Sequence, residues 1–344
     1  MSETLGTRSR LRRRLSELSK AAALGLLTGL VLLGNAAAQE PGFFIDQAIG
    51  GLVYGMILVM ISLGLALVLG LMGVVNFAHG ALFMLGGYFT FAAMSTYGLP
   101  LPVALVLGPI GAGVVGVAME VIVLRRLYGT EPIIGLLATF GLTLMIEEAV
   151  RFVWGAQAVQ PEKPALLTGG TDLIVTQVGT YRLFAVAVST LSVAAVYYLI
   201  TNTDLGLTVR AGVQDGEMTE FVGVNLPIRF TAMFFLGSVI AGLGGALRVV
   251  EQGMDPGVGQ ELVLLAFVVV VIGGVGSIFG SVLAGLLVGW AQFLVPAVLS
   301  ALAVTTGVSA INVDGIGVLV PFLVMIVVLL VRPRGLFGEE GLLE

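Results

Sequence analysis

Few side chains in this 344-residue sequence have the makings of a chemical site, and several of the candidates share one short stretch. "GVVNFAHGALF", residues 73–83, holds the only histidine, His79, with Asn76 and Phe77 before it and Gly80 after it. An imidazole with an ordinary pKa of roughly 6.5 can sense pH near neutrality. It can equally serve as a hydrogen-bonding group where two helices meet. Cysteine is absent, which excludes disulfides, thiolate metal sites and cysteine nucleophiles. One histidine leaves no room for an HExxH zinc site, or for a Ser-His-Asp triad not built on His79 itself. A P-loop needs a lysine behind a glycine-rich turn. The two lysines, Lys20 in "LSKAA" and Lys163 in "PEKPA", do not fit that pattern. No basic stripe beyond the N-terminus suits a nucleic acid as partner.

Carboxylates are as sparse. Glu120 stands five residues before Arg125, Glu147 is spaced i,i+4 from Arg151 with Glu148 beside it, and Glu251 follows Arg248. Such groups read as interfacial ion pairs, whereas proton carriers place acidic residues near the bilayer centre. This argues against proton coupling, and against a strongly charged substrate held by side chains.

What must position these groups is a bundle of membrane helices. The chain is 58% hydrophobic and 11% charged, with a mean hydropathy of +1.07; a soluble domain has roughly 25% charged residues. Its 49 glycines suit helices packed closely in lipid. A helix crosses the hydrocarbon core in about 20 residues. Apolar runs of that order occupy 21–38, 47–72, 81–97, 101–124, 132–153, 183–201, 230–250, 262–298 and 315–331. If the basic start "RSRLRRRLSELSK" is cytoplasmic, Arg125, Arg126, Arg210, Arg229, Arg332 and Arg334 fall on the same side. Only Arg151, Lys163, Arg182 and Arg248 fall on the other, the asymmetry of the positive-inside rule. The C-terminus is then cytoplasmic.

The same parity makes 262–298 cross an even number of times. Gly273, Gly274, Gly276, Ser277 and Gly280 therefore mark a reversal between two short or partly re-entrant helices. Small residues there either let two helix faces simply pack closely or free carbonyls to line a path. Between 47 and 96, two crossings leave about eight to ten residues for a turn. Residues 73–80 fill it at or just inside the cytoplasmic boundary, where Asn76 and His79 can supply donors and acceptors to exposed helix ends. "NFAHGALFMLGGYF" and "GGVGSIFGSVLAGLLVG" echo one another as glycine clusters at such hairpins. Residues 8–38, ending in Ala36-Ala37-Ala38, read equally as a cleavable signal peptide or an extra span.

The largest polar cytoplasmic loop, 202–229, carries Asp204, Arg210, Asp215, Glu217 and Glu220, with Gly216 and Gly223 as breaks on either side of one short helix. A polar helix tied to the membrane at both ends is what docking on a separate soluble partner needs. The loops between spans are too short for an ATPase or ligand-capturing domain. The expected fold class is all-α: a polytopic inner-membrane protein of about eight to ten transmembrane segments, with a glycine-broken hairpin near 262–298. Residues 1–40 stand apart from a single transmembrane domain, 41–338, and 339–344 form a cytoplasmic tail.

Three stretches together resemble the permease subunits of bacterial branched-chain amino acid ABC importers, a family that includes urea and amide permeases. They are "GLVYGMILVMISLGLALVLGLMGVVNFAHGALFMLGGY" (51–88), "TDLGLTVRAGVQDGEMTEFVGVN" (203–225) and "AFVVVVIGGVGSIFGSVLAGLLVG" (266–289), with "LLVRPRGLFG" closing the likeness at 329–338. The resemblance implies a multi-pass cytoplasmic-membrane permease that binds no cofactor itself. Its implied partners are a second homologous permease subunit, two cytoplasmic ABC ATPases that use the ATP, and an extracytoplasmic solute-binding protein docking on loops 155–181 and 251–261. It makes 203–225 the segment that receives the ATPases' motion, on the matching residues Gly206, Arg210, Ala211, Asp215, Gly223 and Asn225. Phe221 stands where the family more often has a small residue. Branched-chain amino acids are the favoured solute, urea or short amides the rivals, and a channel with no motor the rival from another class.

Overall fold

The computed structural model describes residues 29, 31–72, 75–128, 131–173 and 176–338. Residues 1–28, Gly73 and Val74 of the first turn, and the tail 339–344 lie outside the described residues. Residues 31–39 are helical. After them come α1 (Pro41–Met72), α2 (His79–Phe91, extended by a π turn Ala92–Thr96), α3 (Leu101–Ile122), α4 (Pro132–Trp154), β1 (Gly170–Leu173) and β2 (Thr176–Gly179). The order continues with α5 (Thr180–Asn202), α6 (Asp204–Gln214), α7 (Gly216–Phe221), α8 (Leu226–Gln252), α9 (Val258–Gly273), α10 (Ile278–Thr306) and α11 (Ile316–Val331). Among the described residues, six helical stretches are long and apolar enough to cross a membrane, and α9 and α11 are shorter apolar helices. The chain is an all-α multi-pass membrane protein whose described residues add a small antiparallel hairpin, β1–β2, in the 155–179 loop.

α1 is apolar on every side, the pattern of a helix enclosed by others. Its side chains from Ile57 to Ile61 are almost fully buried. It meets α10 through two glycine pairs with four-residue spacing, Gly51 and Gly55 against Gly285 and Gly289. Neither side has room for a Cβ at this contact. That close backbone approach is how helices adhere where lipid offers no hydrophobic contrast. α2 lies on α8 in the same way, Gly86 on Gly242 and Gly245 on the Phe83 carbonyl, while Gly113 and Gly116 of α3 admit Phe235 and Ser238 of α8. α4, α5 and α11 stand at the periphery and expose apolar side chains such as Met145, Leu191 and Leu330.

Two helices begin inside the bundle. His79, the first residue of α2, lies against Gly64 of α1, which also meets Gly237 of α8; Gly80 abuts Gly259 in the first turn of α9. From that junction α2 runs to the end where the Tyr88 hydroxyl meets the Met254 carbonyl. α9 runs the opposite way, to Gly273 beside Gly280. Thus α1–α2–α3 and α8–α9–α10 follow one plan in opposite senses: a long crossing, a half-length helix starting in the interior, and a long crossing back. The glycine echo between 76–89 and 273–289 is not this repeat. The structural counterpart of α2 is 258–273, which its sequence does not resemble closely.

Candidate functional site

The junction between α2 and α9 holds the residues that stood out in the sequence. Asn76 and Phe77 form the turn before α2, and the Phe77 amide donates to Thr139 Oγ1 of α4 at 3.2 Å. The Phe77 ring stacks on Phe267 of α9 at 6.2 Å between centroids. His79 is fully buried, and a Cβ on Gly64 would fall 2.6 Å from its Nε2. The side chains of Asn76 and His79 do not cap helix ends. All four of their polar atoms are buried without a hydrogen-bond partner among the described residues, as is Ser62 Oγ. The Ile61 backbone lies beside the imidazole but outside hydrogen-bond geometry. The turn is also deeper than a boundary position. Gly64 precedes Gly70, which meets Gly276 at the end of the bundle, by six residues, about 9 Å along the helix.

Beside this junction α4 presents a polar stripe that sequence reasoning missed. Thr139, Thr143 and Glu147 recur every four residues and are buried, and Gln260 of α9 donates to Glu147 Oε2 at 2.6 Å. The signal was present: a four-residue polar period on an apolar span places those residues on one face. Arg151 pairs with both Glu147 and Glu148. At the Met254 end, Glu251 does not pair with Arg248. It takes Lys163 at 2.8 Å and Arg182 at 3.1 Å, and Arg182 also binds Asp46 at 2.8 Å. At the opposite end the buried Glu120 accepts from Arg125, Tyr128 and Thr231, tying α3 to the base of α8. Burial, and then the Glu120 charge, hold the Tyr128 phenol well above its ordinary pKa.

The glycine turn between α9 and α10 is a reversal, with Gly274 and Gly276 at positive φ and Ser277 capping α10 by accepting from the Gly280 amide at 3.0 Å. It does not free carbonyls for a path. Those of Ile272 and Gly273 accept from the Leu336 and Phe337 amides at 2.8 and 3.0 Å, so the closing segment 332–338 seals the turn.

Loop 202–229 contains two helices rather than one. α6 is held by the fit of Gly206 against the Ile200 carbonyl and by Leu226 over Gly212. Asp215 separates α6 from α7 and caps α7, accepting from the Met218 amide at 2.9 Å. The Asp215 amide in turn donates to the Ala211 carbonyl at 2.9 Å. Gly223 turns the chain at φ 90°, and Asn225 caps α8 by accepting from Ile228. Arg210 is exposed. So are Leu207, Met218, Phe221 and Val222, with Phe221 85% exposed. The charge count of this loop hid an apolar surface patch.

Residues 47–329 match the family model described as branched-chain amino acid transport system / permease component. The chain belongs to this family. It is 27% identical over 314 residues to the high-affinity branched-chain amino acid transport system permease protein BraD of Pseudomonas aeruginosa, covering 86% of this chain and 96% of BraD. It is 28% identical over 311 residues to the similarly named LivH of Salmonella typhimurium, with the same coverage. A relative of the archaeon Methanocaldococcus jannaschii is 24% identical over 295 residues, covering 85% of this chain and 91% of that protein. No solved structure matches. A member of this family is a membrane-embedded component of a transport system that works with other components.

Proposed function

We propose that this permease moves branched-chain amino acids inward across a bacterial or archaeal cytoplasmic membrane, by ATP-driven alternating access. The observation that carries the reading is the match over 47–329 on a bundle whose 202–229 loop presents exposed apolar residues at one end. Arg125, Arg126, Arg210, Arg229, Arg332 and Arg334 belong to that end, which we take as cytoplasmic, with the C-terminus there. Three of the four cations of the opposite end, Arg151, Lys163 and Arg182, are paired with carboxylates of the same chain, in keeping with the positive-inside rule.

The chain performs no covalent chemistry in this reading and binds no cofactor. Two cytoplasmic ATPases bind and hydrolyse the ATP, a second homologous permease completes the path, and a solute-binding protein delivers cargo to the loops 155–181 and 251–261. Motion enters at Leu207, Met218 and Phe221. It passes through the cap Asn225 to α8, whose base is tied to α3 by the Glu120–Thr231 bond. The half-length helices α2 and α9 lie against α8 and α1, so displacement of α8 shifts the interior junction.

Uptake into proteoliposomes tests this. Labelled leucine should enter only with the full set of subunits and ATP. Equal uptake by this chain alone would make it a motor-independent channel, and ATP-driven entry of urea in preference to leucine would overturn the substrate.

A further inference from the structure

The two opposed halves, α1–α2–α3 and α8–α9–α10, correspond at a shift of 179 residues, which matches Gly80 to Gly259. These two glycines touch, and a Cβ on either would strike the other's carbonyl. The same shift matches the turns that lead into the half-length helices. The His79 amide donates to the Asn76 carbonyl at 3.4 Å, and the Val258 amide donates to the Asp255 carbonyl at 3.3 Å. Eight residues past each glycine stands an aromatic ring, Tyr88 or Phe267, and each holds the turn of the other half. The Tyr88 hydroxyl donates to the Met254 carbonyl at 3.4 Å, next to Asp255, while the Phe267 ring stacks on Phe77, next to Asn76.

What differs is the surroundings of the two matched polar residues. Asp255 is exposed, and its carboxylate caps its own turn by accepting from the Gly257 amide at 2.8 Å. Asn76 is fully buried, and neither its oxygen nor its nitrogen has a partner among the described residues; His79, three residues on, is in the same condition. Phe267 closes over the inner turn together with Thr139, whose hydroxyl oxygen accepts from the Phe77 amide at 3.2 Å. A buried amide and imidazole without partners cost stability. A second conformation that satisfies them accounts for that cost. In a protein built of two opposed halves, it is the conformation in which the halves exchange surroundings, so that the inner turn opens as the outer one closes.

We propose that the turn 75–79 is the cytoplasmic gate of the solute path, reciprocal to an outer gate at 254–257, with the inner gate shut and the outer turn open in this structure. Opening parts Phe77 from Phe267 and Thr139, so that Asn76 and His79 line the inner mouth and meet water and the departing solute. Asn76 Oδ1 is then free to cap its turn as Asp255 does. An amide and a neutral imidazole each carry a donor and an acceptor. They can therefore hydrogen-bond both ends of a zwitterion in passing without trapping it by charge. The proposal rests on the reading of the chain as an alternating-access permease and deepens it by naming the inner gate.

The chain has no cysteine, so Asn76→Cys and Asp255→Cys each place a single thiol at one gate; Ala78→Cys, also fully buried, serves if Asn76→Cys does not accumulate. In the complete transporter in lipid nanodiscs, modification of that thiol by N-ethylmaleimide is followed by mass spectrometry of this chain. It is measured without nucleotide, during ATP turnover with leucine-loaded binding protein, and after arrest by vanadate. In one of these states the thiol at the inner turn should react about tenfold or more faster than in another, and the thiol at 255 should be slowest there. Phe267→Ala should raise the inner reactivity in the state where it is lowest. In the otherwise native chain, Asn76→Leu should lower the rate of leucine uptake about tenfold while leaving the melting midpoint unchanged or higher, which a packing role would not do. An inner thiol equally unreactive in every state, or two thiols that rise and fall together, would overturn the gate. If the unmodified transporter still takes up leucine with ATP, the permease reading survives that result; if it takes up none, both fall.

Discussion

Glu120 is the test of how the base of α8 is held. Its carboxylate is fully buried and accepts from Arg125 Nε at 3.1 Å, Arg125 Nη2 at 2.9 Å, the Tyr128 hydroxyl at 3.0 Å and the Thr231 hydroxyl at 2.9 Å. Glu120→Gln keeps the shape but removes the charge and turns one acceptor into a donor aimed at donors. A hydrogen bond to a charged group contributes about 1.5–3 kcal/mol. Arg125 is 37% exposed and can recover water, so its share is discounted. The expected destabilisation is about 2–3 kcal/mol, read as a shift of the unfolding transition in mixed detergent micelles. Thr231→Val should lose only about 1 kcal/mol, because the single hydroxyl proton is shared between Glu120 Oε2 and the Pro227 carbonyl. The two substitutions should be non-additive, since they share a bond. A loss under about 0.5 kcal/mol for Glu120→Gln, the scale of an exposed surface pair, would refute the claim that this carboxylate fastens α8 to α3.

Three further outcomes follow from the packing. Gly86→Val should prevent accumulation of folded protein, because Gly242 occupies the space a Cβ would need, while Gly141→Ala, which meets nothing within 4 Å, should be tolerated or stabilising by about 0.5–1 kcal/mol; immunoblots of membrane fractions and melting midpoints separate them. His79→Leu should leave stability unchanged or raise it by about 1 kcal/mol, since a buried polar ring without partners gains nothing from its nitrogens; a loss above about 2 kcal/mol would reveal a partner. Met218→Asp should leave the melting midpoint unchanged, because the side chain is exposed, yet lower capture of the ATPase subunits in pull-downs.

The membrane helices were legible because a bilayer imposes length and polarity on each span independently of its neighbours. α4, α5 and α8 begin and end within a few residues of the apolar runs. The reversal at 273–277 was legible through charge parity together with glycine. What the sequence hid depends on distant contacts. That α2 and α9 start inside the bundle follows from Gly80 meeting Gly259, 179 residues away, and no local pattern encodes it. The pairing of Glu251 with Lys163 and Arg182 rather than with Arg248 is likewise a matter of how the 155–179 loop lies over α8. Polar residues in a short turn usually meet exposed helix ends, which is why Asn76 and His79 look like caps in the sequence; here the turn dips below that level. The apolar exposure of Met218 and Phe221 was not legible because the charged residues from Asp204 to Glu220 dominate that loop, and only Phe221 stood out, against the family pattern.

The most direct test of the account is the ATP-driven uptake of leucine by a complete transporter carrying Phe221→Asp. Phe221 is 85% exposed and supports nothing inside the bundle, so the protein should fold and insert as before. Uptake should fall about tenfold or more if the 202–229 loop receives the motor's stroke. Uptake equal to that of the unmodified transporter, at equal protein in the membrane, would contradict the mechanism at its centre.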